Sequence, residues 1–256
     1  MSNNAMLMEA AAEVACVAGD VAHRYFRAAI QTELKADGSP VTIADREAER
    51  AARDWLARRF RGDAIIGEEF GGTEVTADRA WIVDPIDGTK TFIRGVPLWG
   101  TLVGVAVRGA VVAGAAYFPA LGELLHAAVG EGCWWNGSRA HVSDVATLER
   151  AMVVTTDEHF KAAPERGRSW TRLADRAVMS RSWGDCYGYL LVATGRAEVM
   201  TDAKLALWDA AALYPAITEA GGVFTDWTGS ATPFGGSAIA TNAALADEVR
   251  AILMER

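Results

Sequence analysis

The sequence predicts a single layered unit of α/β or α+β class spanning residues 1–256. Three observations lead there. The 256 residues are 51 % hydrophobic, enough for a large buried core. Apolar runs of strand length alternate with segments of helical spacing. No Pro-, Gly- or Ser-rich linker, internal repeat or low-complexity tract separates them. A soft internal boundary is expected near residues 142–150, where a polar stretch interrupts the apolar pattern.

Taken in order, Met6, Ala10, Val14, Val17, Val21 and Tyr25 predict a helix over residues 6–29. Residues 33–41 hold Asp37-Gly38 and Ser39-Pro40 and read as a turn or loop. Residues 44–60 are again helical. Residues 64–66 and 81–83 are short apolar strands, the second halted at Asp84-Pro85 because proline cannot continue a hydrogen-bond ladder. Residues 101–107 and 111–118 pair around Arg108-Gly109, with 124–129 as a third strand before a turn at Asn136-Gly137. Beyond the boundary, strands are expected at 151–155, around Val178 and at 197–200. Helices are expected at 187–194, 208–220 and 242–254.

A net charge of −8 and the absence of any Lys/Arg run argue against nucleic acid as a partner. An acidic protein that handles phosphate must reverse its field locally, and bound cations do that most simply. Cys16, Cys133 and Cys186 are widely spaced, with no C-x-x-C pair. That argues against a disulfide framework or a thiolate zinc site and fits a reducing cytoplasm. The opening residues carry Glu9 and Glu13 and no basic leader, so they read as an amphipathic helix, not a signal peptide. No apolar run is long enough to span a bilayer.

The residues that carry chemistry are acids at the ends of apolar runs. In Trp81-Ile82-Val83-Asp84-Pro85-Ile86-Asp87-Gly88-Thr89, a turn shaped by Pro85 and Gly88 presents two carboxylates. Mg²⁺ takes hard oxygen ligands, typically a few carboxylates with water and phosphate. Such a turn suits it, although an Asx-type turn uses the same residues locally. Ile65-Ile66-Gly67-Glu68-Glu69 is a second apolar run ending in acids. Two such strands deliver charge to one sheet edge, where open α/β sheets place ligands. Asp209 opens one expected helix, and Thr42 with Asp45 opens another. These residues suit helix caps as well as ligands.

Together, Gly67-Glu68-Glu69, residues 84–89 (DPIDGT), Trp208-Asp209 with residues 218–222 (TEAGG), and the 39–45 loop resemble the inositol monophosphatase superfamily of metal-dependent, lithium-sensitive phosphatases. The resemblance runs through nearly the whole chain in the family's order. It implies an αβαβα layered sandwich, a homodimer, and hydrolysis of a small phosphate monoester with two or three Mg²⁺ ions. It implies that Glu68 binds the first metal, that Asp84 bridges metals and that Ile86 offers its carbonyl. Asp87 and Asp209 would complete the second metal site, with Glu69 behind the ligands. Gly88 and Thr89 would receive phosphate on N–H groups at a helix start. The Thr89 hydroxyl and Glu68 would orient a water made nucleophilic by metal. Asp45, supported by Thr42, would hold a further metal and its water. His23, His126, His141 and His159 have no role in this scheme.

Residues 90–100 and 180–189 look like the histidinol-phosphate phosphatase branch. In that branch Trp183-Gly184-Asp185 stand where the inositol branch has small residues. Asp185 would then read an ammonium or imidazole group. Asp202 falls where the inositol branch has a substrate-touching acid, and Arg94 would reach the substrate or a neighbouring subunit. Asp185 also suits a helix N-cap, and Trp183 suits core packing. The other readings are an inositol or broad sugar-phosphate phosphatase and, in another class, a non-catalytic metal-binding protein of the same fold.

Overall fold

The computed structural model describes residues 2–72, 77–161 and 163–255. Helix α1 (Asn3–His23) is followed by β1 (Thr32–Leu34) and β2 (Pro40–Thr42), which pair antiparallel. The expected loop at 33–41 is therefore a hairpin, closed by the Lys35 N–H to the Ser39 carbonyl. Next come α2 (Ile43–Arg59), β3 (Ala64–Gly67), β4 (Ala80–Asp87) and the single turn α3 (Thr89–Phe92). A meander follows: β5 (Gly100–Val107), β6 (Ala110–Phe118), β7 (Glu123–Ala128), β8 (Gly132–Trp135) and β9 (Ser138–Arg139). After a 3-10 turn at Leu148–Arg150 come β10 (Met152–Thr155), α4 (Pro164–Arg176), β11 (Met179–Arg181) and α5 (Asp185–Ala193). The chain ends with β12 (Val199–Asp202), α6 (Leu207–Glu219), β13 (Val223–Thr225), β14 (Ala238–Thr241) and α7 (Ala246–Met254).

Strands β3 to β9 form a seven-stranded sheet in chain order, and β11-β10-β12-β14-β13 form a five-stranded one. Helix α1 buries Leu7, Ala11, Val14, Ala15, Ala18 and Ala22, a stripe at helical spacing. It packs with α2 on one face of the larger sheet. Helix α6 covers the other face and meets α5, which lies against the five-stranded sheet. Helices α4 and α7 pack together on the outer face of that second sheet. The layers thus run αβαβα, as the family resemblance implies. Strand β5 is buried along both faces and reads as a continuous apolar run for that reason. Gly104 and Gly114 let α6 come close: a Cβ there would lie 2.6 Å from Ala211 Cβ and 2.4 Å from the Ala212 carbonyl oxygen.

Several boundaries differ from the sequence expectation. Helix α1 stops at His23, and the chain turns through Arg27 at φ 63°. Strand β4 runs on through Pro85 to Asp87, because its ladder with β5 shifts register between Asp84 and Asp87. Proline sits in that bulge, where no ladder donor is required. Val178 stands just before β11, and the helix expected from residue 242 starts at Ala246. Asn242 instead accepts the Leu245 N–H and ties down the Ser143 and Val145 carbonyls. Helix α4 buries Ser169, Trp170 and Leu173 in an otherwise Arg-rich segment, and β8, β9, β13 and β14 have two to four residues each. Such elements are too short or too polar to stand out by apolar spacing. Among the described residues, no helix is long and apolar enough to cross a membrane.

Candidate active site

Strands β3 and β4 run parallel with Gly67 opposite Val83, so their carboxyl ends lie side by side. Glu68 follows one, its N–H bonded to the Val83 carbonyl at 3.1 Å, and Asp84 is carried by the other. The bulge beyond Asp84 turns Asp87 back toward it. Helix α6 then brings Asp209 to the same point. Its carboxylate accepts the Ala206 N–H at 3.0 Å, which makes it the third residue of the helix and not its N-cap. Ligand oxygens of Asp84, Asp87 and Asp209 all lie within 4.8 Å of one another.

The local hydrogen bonds fix these groups. Asp84 accepts the Ile86 N–H at 3.0 Å, and Asp87 accepts the Cys186 N–H at 2.5 Å. Thr101 donates to the Pro85 carbonyl at 2.7 Å, locking the bulge. Thr42 and Asp45 form a reciprocal capping box at the start of α2, Asp45 Oδ2 accepting both the N–H and the hydroxyl of Thr42. The second Asp45 oxygen lies 3.2 Å from Thr89 Oγ1, which is also 3.0 Å from the Ile86 carbonyl. Thr89 therefore meets Asp45, not Glu68. Glu68 stands outside the three-carboxylate group, held by Lys35 Nζ at 2.7 Å, and Glu69 binds the same ammonium at 2.7 Å.

Electrostatics make the cluster a candidate cation site. Burial raises the Asp84 and Asp87 carboxyls above the ordinary range, and the charges of neighbouring acids push the same way. Asp209 is pushed up to about 6, chiefly by burial. Burial raises Glu69 to about 7 against the pull of Lys35, and it raises Asp45 as well. Three hard oxygen donors, each costly to ionise alone, suit a hard divalent cation that restores their charged forms.

A cavity of about 230 Å³ opens beside the cluster, with Asp87, Asp209, Asp185 and Asp202 in its wall. Asp202 is 6 % exposed, accepts the Tyr189 hydroxyl at 2.9 Å and is raised to about 7 by burial. Asp185 is the first residue of α5, after Gly184, and is not its N-cap. It also lines two adjoining cavities, one with Gly184 and one with Glu68, Gly88, Thr89 and Lys90. Two expected contacts are corrected. Trp183 is 41 % exposed, stacks on Arg181 and lines none of these cavities. Arg94 is exposed beyond α3 and lines none of them either.

The structure adds residues that sequence reasoning did not reach. Glu49 is fully buried, accepts the Glu69 and Phe70 N–H groups at 2.7 and 3.3 Å, and pairs with Arg53 at 2.7 Å. It thereby holds the turn that carries Glu68. Its signal was a charge among the alanines of α2, four residues after Asp45. Lys90, Lys204, Thr156, Asp157 and Phe160 join the cavity wall.

The chain matches the model of the inositol monophosphatase family over residues 3–255. It is 43 % identical over 223 residues to a histidinol-phosphatase of Chlorobaculum parvum, covering 87 % of this chain and 86 % of the relative. It is 41 % identical over 225 residues to a histidinol-phosphatase of Mycobacterium tuberculosis, covering 86 % of each. Among solved structures, it resembles an inositol monophosphatase from Zymomonas mobilis with a TM-score of 0.87 at 31 % identity, covering 99 % of both chains. The carboxylate cluster at the paired strand ends is thus set in a fold shared with phosphoric monoester hydrolases, and the chain belongs to the inositol monophosphatase family.

Proposed function

We propose that this protein hydrolyses L-histidinol phosphate to L-histidinol and phosphate. The observation that carries the reading is that Asp185 and Asp202 share one cavity wall with Asp87 and Asp209. Asp84, Asp87 and Asp209 would hold Mg²⁺, with Glu68 and the Ile86 carbonyl beside them; the bound ions would neutralise phosphoryl charge and acidify the attacking water. The cavity between Ser39, Glu68, Gly88, Thr89 and Lys90 suits the phosphate, with Lys90 adding positive charge. The Thr89 hydroxyl is placed to orient the water and to pass a proton to Asp45, whose buried carboxyl holds protons above the ordinary range. Asp185 and Asp202 offer charge-assisted bonds to an ammonium or imidazole group, contributing roughly 1.5–3 kcal/mol each where the group is desolvated. Both relatives described above are histidinol-phosphatases, which supports the same substrate.

Phosphate release from L-histidinol phosphate and from inositol 1-phosphate, measured side by side with Mg²⁺, tests the reading. A strong preference for histidinol phosphate is expected. Equal rates, or a preference for the inositol ester, would leave the hydrolytic site standing and overturn the substrate.

A further inference from the structure

Thr156 follows β10 and lines two of the three cavities that Asp185 lines, one of which Asp202 shares. Its Oγ1 accepts the Asp185 N–H at 2.8 Å. Thr156 shares the wall of the first of these cavities with Asp202. Asp185 needs such an anchor. Its φ is 49°, in the left-handed region that a residue with a Cβ resists. Gly184 lies hard against the same threonine: a Cβ there would sit 2.2 Å from Thr156 Cα and 2.5 Å from its Oγ1. The turn held this way places Asp185 Oδ2 3.2 Å from the Thr91 hydroxyl and presents the Cys186 N–H to Asp87. One hydroxyl therefore holds the turn that carries Asp185, and that turn reaches the metal-site candidate Asp87.

We propose that Thr156 is the positioning residue for specificity, holding Asp185 where, beside Asp202, it reads a cationic group on the phosphate ester. The inference rests on the substrate reading above. Because Thr156 is exposed to the cleft, its variants are expected to fold. Valine keeps its shape without the hydroxyl, and serine keeps the hydroxyl.

The test measures kcat and KM for L-histidinol phosphate and for uncharged glycerol 2-phosphate in wild type, Thr156→Val and Thr156→Ser. Amide exchange at Asp185 and Cys186 is followed in the same proteins. Wild type should favour the amine-bearing ester. Thr156→Val should lose roughly tenfold of that preference, through KM, since a site built on polar groups discriminates poorly once they are misplaced. Thr156→Ser should keep it, and the Asp185 N–H should exchange faster in the valine variant alone. Wild-type preference and exchange in Thr156→Val would overturn the proposal while leaving the substrate reading intact. Equal losses on both esters would also overturn it, by marking a general effect at Asp87. A wild type indifferent to the amine overturns the substrate reading itself, and the role of the pair in selectivity falls with it.

Discussion

Replacing Asp84 by Asn should make the metal-free protein more stable while abolishing hydrolysis. Asp84 is 2 % exposed, and its ligand oxygen lies within 4.8 Å of those on Asp87 and Asp209. Two full charges at that distance repel by about 3.5 kcal/mol at an effective dielectric constant of about 20. Proton uptake relieves part of this, as the raised Asp84, Asp87 and Asp209 carboxyls indicate. Roughly 1–3 kcal/mol then remains for the substitution to release. Asparagine preserves the bond from the Ile86 N–H and can donate to Asp209, so no polar group is orphaned. For a chain of 256 residues the gain corresponds to about 2–10 °C in Tm. The assay is thermal unfolding in chelator and in excess Mg²⁺, with phosphate release in parallel. Wild type should gain stability from Mg²⁺, and Asp84→Asn should gain little. A variant that melts lower than wild type in chelator, or that still hydrolyses ester at a comparable rate, would refute the reasoning.

Three further perturbations probe other parts of the site. Glu49→Ala strands the Glu69 and Phe70 N–H groups and the Arg53 charge, and should cost about 2–4 kcal/mol in urea unfolding; an unchanged midpoint would show that the turn is held otherwise. Gly104→Ala puts a Cβ 2.6 Å from Ala211 Cβ, so it should cost about 1–3 kcal/mol and weaken Mg²⁺ binding in a titration by displacing α6 and Asp209. Asp202 gives a pH signature, because burial holds its carboxyl at about 7. A cation needs it ionised, so KM for the amine-bearing ester should rise about tenfold per pH unit below about 7 and level above, and the limb should vanish in Asp202→Asn. Its stability effect has the opposite sense. The folded state keeps this proton where the unfolded chain, with a pKa near 3.9, has lost it, so stability falls as pH rises from about 4 to about 7 and then levels. The same substitution should flatten that limb in pH-dependent melts.

The acids at strand ends were legible because Trp81, Ile82 and Val83 are buried on both faces, which makes the run continuous and its end abrupt. The parallel pairing that sets Glu68 beside Asp84 is a long-range contact and leaves no local trace. Thr156 illustrates the same limit: 29 residues separate it from Asp185, and only tertiary packing joins them. Arg94 and Trp183 line none of the three cavities around Asp185 for a related reason. Both sit in the expected segments, but side-chain placement is decided by the turn each occupies, and both are left exposed. Glu49 was readable as an oddity, a buried charge on an alanine face, without any indication of what it would hold.

The cleft is assembled from two separate scaffolds. Asp84, Asp87 and Thr89 come from the larger sheet, whereas Thr156, Asp185 and Asp202 come from the smaller one. Helix α6 leaves the smaller sheet after Asp202 and locks onto the larger at Gly104 and Gly114, delivering Asp209 across the divide. On the proposed reading, reaction and recognition are therefore carried on separable modules. Grafting the loops that follow β10, β11 and β12 from a relative of different appetite should retune which ester enters, with the hydrolytic half inherited unaltered.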